Sequence, residues 1–391
     1  MRKIVLLGAS GSIGEQTLQI LKAYPKTFSL IGFSVGKRIE KIHRIIQDFP
    51  SVQYICVQEK QAQEQLQIQY PAIHFFSEDQ GLISLIQEAK PEMMVNALVG
   101  FVGFLPTYHA LQMGIDVALS NKESLVVGGS LLNELQRKTK AKIYPIDSEH
   151  VALAKCLKGQ KGVRKLILTA SGGSFRTLNR GALKDVKKED ALKHPSWNMG
   201  AKITIDCATM MNKGFECIEA HYLFHIPMEQ IDILLHDESK IHSLVSFQDG
   251  SYLADIGPSD MRIPITYALF KGKRQNPKVA KTLPLEEFGT FHFHPFDGER
   301  FPCVSYARKA MKEGGTMPTV LNASNEVAVH AFLQDQIPFL MIEKIIEKCM
   351  ACHRVIEHPT VDDIVYVDHW ARQEAQKWVE EVIQDGISEW N

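Results

Sequence analysis

Asp147 and Glu149 stand two positions apart in Pro145-Ile146-Asp147-Ser148-Glu149-His150, just beyond an apolar run. If this stretch is extended, side chains alternate and both carboxylates face one side. Two such charges repel unless a cation lies between them or one takes a proton. All-oxygen ligation suits Mg²⁺ or Mn²⁺ rather than zinc. Most Asp-x-Glu pairs in loops are simply solvated, so the pair needs company. Asn212-Lys213-Gly214-Phe215-Glu216 supplies it, with a third carboxylate in Glu216 and a phosphate-holding pair in Lys213 and Asn212. Asn121-Lys122-Glu123-Ser124 follows another apolar run and points to the same crevice, beyond the carboxyl ends of the strands. Ser171-Gly172-Gly173-Ser174 can present N–H groups and hydroxyls to an anion. In His194-Pro195-Ser196-Trp197-Asn198-Met199-Gly200, Pro and Gly bracket an aromatic and a thioether, as in a loop that closes over a ligand. Its plainer alternative is a surface loop with Trp197 tucked against the body.

A cofactor site comes first along the chain. Gly8-Ala9-Ser10-Gly11-Ser12-Ile13-Gly14 follows a short apolar strand and precedes a helical pattern. Glycines there let backbone N–H groups approach a pyrophosphate, whose charge the helix N-terminus favours. The second strand ends in Gly36-Lys37-Arg38, where NAD enzymes usually carry an acid for the ribose 2′-hydroxyl. Two cations attract a 2′-phosphate instead, so NADPH is the expected cofactor.

The elements that must position these groups alternate. Residues 3–7, 28–35, 54–57, 93–98, 117–119 and 143–146 read as buried strands separated by helices, hence a parallel, doubly wound, Rossmann-like sheet. Residues 165–170 and 202–206 read as further strands, and 339–354 and 370–383 as amphipathic helices. Four segments follow: a dinucleotide-binding domain over 1–150, an α+β catalytic and lid domain with a dimer sheet over 151–272, a linker over 273–297, and a C-terminal helical bundle over 298–391. The 391 residues, 45% of them apolar, can fill several cores. A net charge of −1 gives no footing for nucleic acid or an anionic membrane. Seven scattered cysteines suit a reduced, cytoplasmic protein, and the opening apolar run is too short for a signal peptide.

The motifs GASGSIG, NKES, DSEH, TASGGSF, HPSWNMG and MMNKGFE, with GGTMPTVLNASNEVAV at 314–329, together resemble the 1-deoxy-D-xylulose 5-phosphate reductoisomerase family of the non-mevalonate isoprenoid pathway. That resemblance implies NADPH, Mg²⁺ or Mn²⁺, a homodimer, and rearrangement followed by reduction of a small phosphorylated sugar. In matching positions, it implies NADPH contacts from Ser10, Gly11, Ser12, Ile13, Gly36, Lys37, Arg38, Asn121, Glu123 and Gly200. The metal would be held by Asp147, Glu149 and Glu216, which with Lys122 form the catalytic set. Substrate would meet Lys122, Ser148, Glu149, Ser171, His194, Asn212, Lys213 and Glu216, with Trp197 and Met199 on the closing loop. Cys207 stands where the family pattern leads one to expect a serine donating to the substrate phosphate, and a thiol is a weaker donor.

Other patterns have blander explanations. Cys349-Met350-Ala351-Cys352-His353 matches a haem-attachment spacing but ends an amphipathic helix. His292 and His294 have no third ligand nearby and suit a linker strand. Two rival functions use the same cofactor turn: a plain NADP oxidoreductase reducing a phosphorylated aldehyde, and a non-enzymatic NADPH-binding regulator.

Overall fold

The computed structural model describes residues 1–193, 197 and 199–385. The chain first alternates β1 (Arg2–Leu7), α1 (Ser12–Ala23), β2 (Phe28–Ser34), α2 (Ile42–Asp48), β3 (Tyr54–Val57) and α3 (Lys60–Gln69). It continues through β4 (His74–Ser77), α4 (Glu78–Ala89), β5 (Met93–Asn96), α5 (Phe104–Gln112), β6 (Asp116–Leu119), α6 (Lys122–Thr139) and β7 (Ile143–Pro145). All seven strands are parallel, in the order β4-β3-β2-β1-β5-β6-β7. The order reverses between β1 and β5, the position at which open α/β sheets bind ligands. Ile4, Leu6, Phe33, Ile55, Met93 and Val95 are buried between the layers, so the strands read as apolar runs.

After α7 (Ser148–Leu157) come β8 (Val163–Ala170), α8 (Lys188–Ala191), α9 (Ala201–Ala208), α10 (Met211–Phe224), β9 (Ile231–His236), β10 (Ile241–Phe247) and β11 (Tyr252–Ile256). Next are α11 (Arg262–Leu269), β12 (Phe293–Pro295), α12 (Cys303–Glu313), α13 (Met317–Leu333), α14 (Met341–Cys352) and α15 (Val361–Asp385). The second sheet is mixed, in the order β11-β10-β8-β9-β12, with β8 and β9 parallel and the other pairs antiparallel.

Two compact units result. One comprises Met1–Ser124, Ser130–Val151 and Asp260–Thr282; the other comprises Leu125–Gly129, Ala152–Ser259 and the chain from Leu283 onward. Within the first, Ile265, Ala268 and Leu269 of α11 join the core of the parallel sheet. Phe270 meets Tyr24 and Phe28 edge-on, with ring centroids 5.0 and 5.1 Å away. Within the second, the mixed sheet packs on α10 and α12 to α15 around Phe215, Val245, Val320 and Ile345.

Two expectations change. Residues 202–206 are not a strand but lie in α9, where Ile203 and Ile205 alternate with Lys202, Thr204 and Asp206 over too short a window to separate the two periods. The stretch from Asp147 to Glu149 is not extended either. The Asp147 carbonyl accepts from Val151 N at 3.0 Å, so Glu149 sits in the first turn of α7.

His292 and His294 fix β12 to the end of β9. His292 Nδ1 lies 2.5 Å from Glu238 Oε1, and His294 Nε2 lies 3.0 Å from Asp237 Oδ2. Desolvation works to raise the Glu238 carboxyl, but hydrogen bonds from the His292 side chain and backbone outweigh it and draw it down to about 2. His292 is raised in return by its bond to Glu238. The Glu238 contribution is present above the ordinary carboxylate value and lost as pH falls through about 2. The His292 contribution is full below about 6.5 and fades as pH rises through its raised pKa. The melting temperature should therefore fall as pH rises above about 6.5, and Glu238→Gln should flatten that slope. Parallel slopes for the two proteins would refute the pairing.

Candidate active site

The glycine turn in the first unit is built for close approach. Gly8 has φ +82°, and a Cβ there would lie 2.6 Å from the Ala97 carbonyl oxygen. A Cβ on Gly14 would lie 2.2 Å from Gly8 O, so α1 can seat on the turn only with glycine at that position. Gly11 is the N-cap of α1 and no side chain caps it, which leaves Ser12 and Ile13 at the open positive end of the helix. Ser34 Oγ accepts from Gly8 N at 2.9 Å and ties the turn to β2. Beyond β2, Gly36, Lys37 and Arg38 are exposed, as a site for a phosphate requires. Sequence reasoning missed Lys41, whose Nζ donates to Ser10 O at 3.1 Å and pairs with Glu15.

The acid-bearing segments belong to the ends of β6 and β7. Asn121 caps α6 by accepting from Ser124 N at 3.1 Å. Its Nδ2 donates to Leu98 O, Gly100 O and Glu123 Oε2 at 3.1, 2.9 and 3.2 Å. Asn121 thus fixes the loop around Glu123 from within. Lys122, almost wholly buried, places Nζ 2.5 Å from Asp147 Oδ2. Burial works to raise the Asp147 carboxyl, but the Lys122 charge, His150 and hydrogen bonds from Lys122 and Glu149 hold it well below the usual carboxylate range. Ser148 Oγ donates to Glu149 Oε2. Two carboxylates in hydrogen-bond contact share either a proton or a cation. This all-oxygen donor set fits a hard divalent ion.

The second unit carries the other expected groups. Met210 has φ +61° and turns the chain into α10, whose first turns hold Asn212, Lys213 and Glu216, all buried. Asn212 Nδ2 donates to Glu216 Oε1, and Lys213 Nζ lies 2.5 Å from Glu216 Oε2. Lys213 also donates to Thr169 O at 2.6 Å, which ties it to the end of β8. The sequence had offered Asn212 and Lys213 to a phosphate, and the fold sets them first against Glu216. Gly172 and Gly173 follow β8 with φ +83° and +69°. A Cβ on Gly173 would come within 2.3 Å of Cys207 O, so the Ser171 turn and the last turn of α9 touch backbone to backbone. Cys207, Trp197 and Met199 are half-buried, while Gly200 is exposed at the N-cap of α9. His194 lies outside the described residues.

A glycine turn at the switch point, a basic strand end and buried lysine–carboxylate pairs define an α/β oxidoreductase that works with a dinucleotide. The comparisons give the family. The profile described as 1-deoxy-D-xylulose 5-phosphate reductoisomerase matches residues 4–129, and two profiles for C-terminal domains of that reductoisomerase match 143–224 and 256–374. The chain is 48% identical over 375 residues to 1-deoxy-D-xylulose 5-phosphate reductoisomerase 2 of Bacillus thuringiensis subsp. konkukian, covering 95% of this chain and 98% of that one. A Macrococcus caseolyticus 1-deoxy-D-xylulose 5-phosphate reductoisomerase is 48% identical, covering 94% and 97%. Among solved structures, the Zymomonas mobilis reductoisomerase in complex with NADPH matches with a TM-score of 0.89 at 35% identity, covering 97% and 99%. A DOX-P reductoisomerase in complex with NADPH, fosmidomycin and magnesium matches with a TM-score of 0.91 at 33% identity, covering 98% and 100%. The chain belongs to the 1-deoxy-D-xylulose 5-phosphate reductoisomerase family.

Proposed function

We propose that Asp147, Glu149 and Glu216 hold one divalent metal beside an NADPH seated on the Gly8–Gly14 turn. With these the chain rearranges and reduces 1-deoxy-D-xylulose 5-phosphate to 2-C-methyl-D-erythritol 4-phosphate. It is an NADP-dependent oxidoreductase of isoprenoid synthesis and uses NADPH with a divalent metal. The balance is ketose phosphate, NADPH and a proton in, branched polyol phosphate and NADP⁺ out.

NADPH supplies the hydride, and Mg²⁺ or Mn²⁺ supplies Lewis acidity at the carbonyl and neighbouring hydroxyl oxygens. Ser10, Gly11, Ser12 and Ile13 bring N–H groups and hydroxyls to the pyrophosphate, while Gly36, Lys37 and Arg38 take the 2′-phosphate. Asn121, Glu123 and Gly200 also contact NADPH, with Glu123 held by the Asn121 amide. Lys122 brings positive charge to the oxygens on which charge develops. Glu149 takes and returns a hydroxyl proton, oriented by Ser148. Ser171, His194, Cys207, Asn212 and Lys213 hold the substrate's polar groups and phosphate. Trp197 and Met199 cover the reacting carbons and exclude water.

Two buried ion pairs carry this assignment, Lys122 with Asp147 and Lys213 with Glu216. Charges withdrawn from water at such expense mark working groups. The test is NADPH oxidation by the purified chain with the ketose phosphate, before and after chelation and readdition of Mg²⁺ or Mn²⁺. The branched polyol phosphate should form only with metal. Oxidation with a phosphorylated aldehyde but none with the ketose would favour the plain reductase instead.

Cys207→Ser should leave kcat intact and lower the substrate KM by about two- to fivefold, because a hydroxyl donates more strongly than a thiol. A large loss of turnover would give the thiol a role of its own. We further assign a homodimer in the cytoplasm. The edge strand β11 supports the dimer, with Tyr252, Leu253 and Ile256 exposed beside unpaired backbone. Seven cysteines scattered along the chain support the reducing compartment. We also propose a functional division into nucleotide binding over 1–150, catalysis, lid and dimer sheet over 151–272, a linker over 273–297 and the helical domain over 298–391, with residues 260–282 packed in the first compact unit.

A further inference from the structure

The 314–329 segment touches none of the assigned site groups in the sequence reading, yet one of its side chains reaches their neighbourhood. Asn325 lies on α13, fully buried, and its Nδ2 donates to Asp206 Oδ1 at 2.9 Å. Asp206 is also buried and pairs through its other oxygen with Lys202, at 2.8 Å and one turn earlier on α9. Both carboxylate oxygens are therefore occupied, one by a cation on the same helix and one by an amide from another helix. A buried carboxylate held in this way fixes the rotation of its helix about the axis, because turning would strand the charge.

What that rotation controls lies one residue on. Cys207 follows Asp206 and meets the turn after β8, where the Gly173 contact leaves no room for a single added carbon. The N-cap of the same helix, Gly200, ends the loop that carries Trp197 and Met199. Thr204 Oγ1 donates to Gly200 O at 2.9 Å and secures that cap. One short helix thus sets the placement of Cys207 against the turn that carries Ser171. Beside the apolar packing of Ile205 and Ala208, the Asn325 amide gives α9 a polar tether to α13.

We propose that Asn325 is a positioning residue for substrate-phosphate binding, acting through Asp206 to hold α9 in register with the Ser171 turn. This rests on the assignment of Ser171, Cys207 and Lys213 to the substrate phosphate. The residue touches no reacting atom. It governs how well the phosphate is gripped and leaves the NADPH turn alone.

The experiment compares Asn325→Ala, Lys202→Met and Lys213→Met in the full chain by steady-state kinetics, with NADPH affinity measured by fluorescence as a check on folding. Lys202→Met removes the ion pair from a partly exposed partner and keeps an apolar side chain beside Phe215, so it remains informative should Asn325→Ala not fold. For Asn325→Ala the substrate KM should rise about tenfold and kcat change by less than about twofold, with NADPH affinity unaltered, as for loss of a hydrogen bond to a charged group. Lys202→Met should shift KM in the same direction by about three- to fivefold. Combining Asp206→Asn with Asn325→Asp restores an amide–carboxylate pair and should recover part of the KM lost by either change alone. A purely structural Asn325 would lower the active fraction, and hence kcat, at unchanged KM; that pattern, or no rescue, overturns the proposal. If Lys213→Met leaves substrate affinity untouched, the phosphate assignment beneath it falls instead.

Discussion

Glu216→Gln is expected to lower turnover by about a thousandfold while leaving NADPH affinity within about threefold. The substitution is isosteric, so packing at this buried position is retained. What changes is the donor count. Glu216 receives Asn212 Nδ2 on one oxygen and Lys213 Nζ on the other. A glutamine has a single acceptor oxygen, and its NH₂ must face one of those two donors, leaving a buried amide or ammonium without its acceptor. The proposed metal loses a charged ligand at the same time. NADPH binding depends on the turn in the other unit and has no reason to follow. Steady-state kinetics across a metal titration, with NADPH binding measured separately, decides the matter. Near-normal turnover at low metal would remove Glu216 from the metal set.

Lys122→Met should reduce kcat by about a hundredfold or more and move the acid limb of the activity profile to higher pH. Methionine keeps the length of the buried side chain and removes its charge. Only His150 and the Glu149 hydrogen bond then oppose burial, which raises a carboxyl group. Asp147, now held low against desolvation chiefly by Lys122, will take its proton at a higher pH. Below that point the pair Asp147 and Glu149 offers one anion fewer. Lys122→Arg, which keeps the charge, should preserve much of the acid limb. An unmoved limb in Lys122→Met would mean that Lys122 neither tunes Asp147 nor works beside it.

How much of this was legible in the sequence depends on the range of the interaction. The glycine turn could be read because its signals are local: apolar strand, glycines and helix lie within 23 residues of the N-terminus. The parallel sheet could be read because buried strands are continuously apolar. Short β4 passed unnoticed, since His74–Ser77 has one buried residue and two half-buried ones. α9 was mistaken for a strand because five residues cannot separate a period of two from 3.6 when a helix is covered on several sides. The carboxylates and lysines were identified by type, but their pairing was not. Lys122 meets Asp147 across 25 positions and Asn325 meets Asp206 across 119, and no local spacing encodes either pairing.

The helix α11 has a consequence for how the molecule is made. It leaves the ribosome about 115 residues after β7, when the strands of the second sheet through β11 have already emerged. Until then Tyr24, Phe28 and the faces later covered by Ile265, Ala268 and Leu269 have no cover, and the Asp116 carboxylate awaits Lys271. The nucleotide-binding unit thus cannot finish assembly as a nascent N-terminal domain. A fragment stopping near residue 150 would leave part of its apolar core open to water.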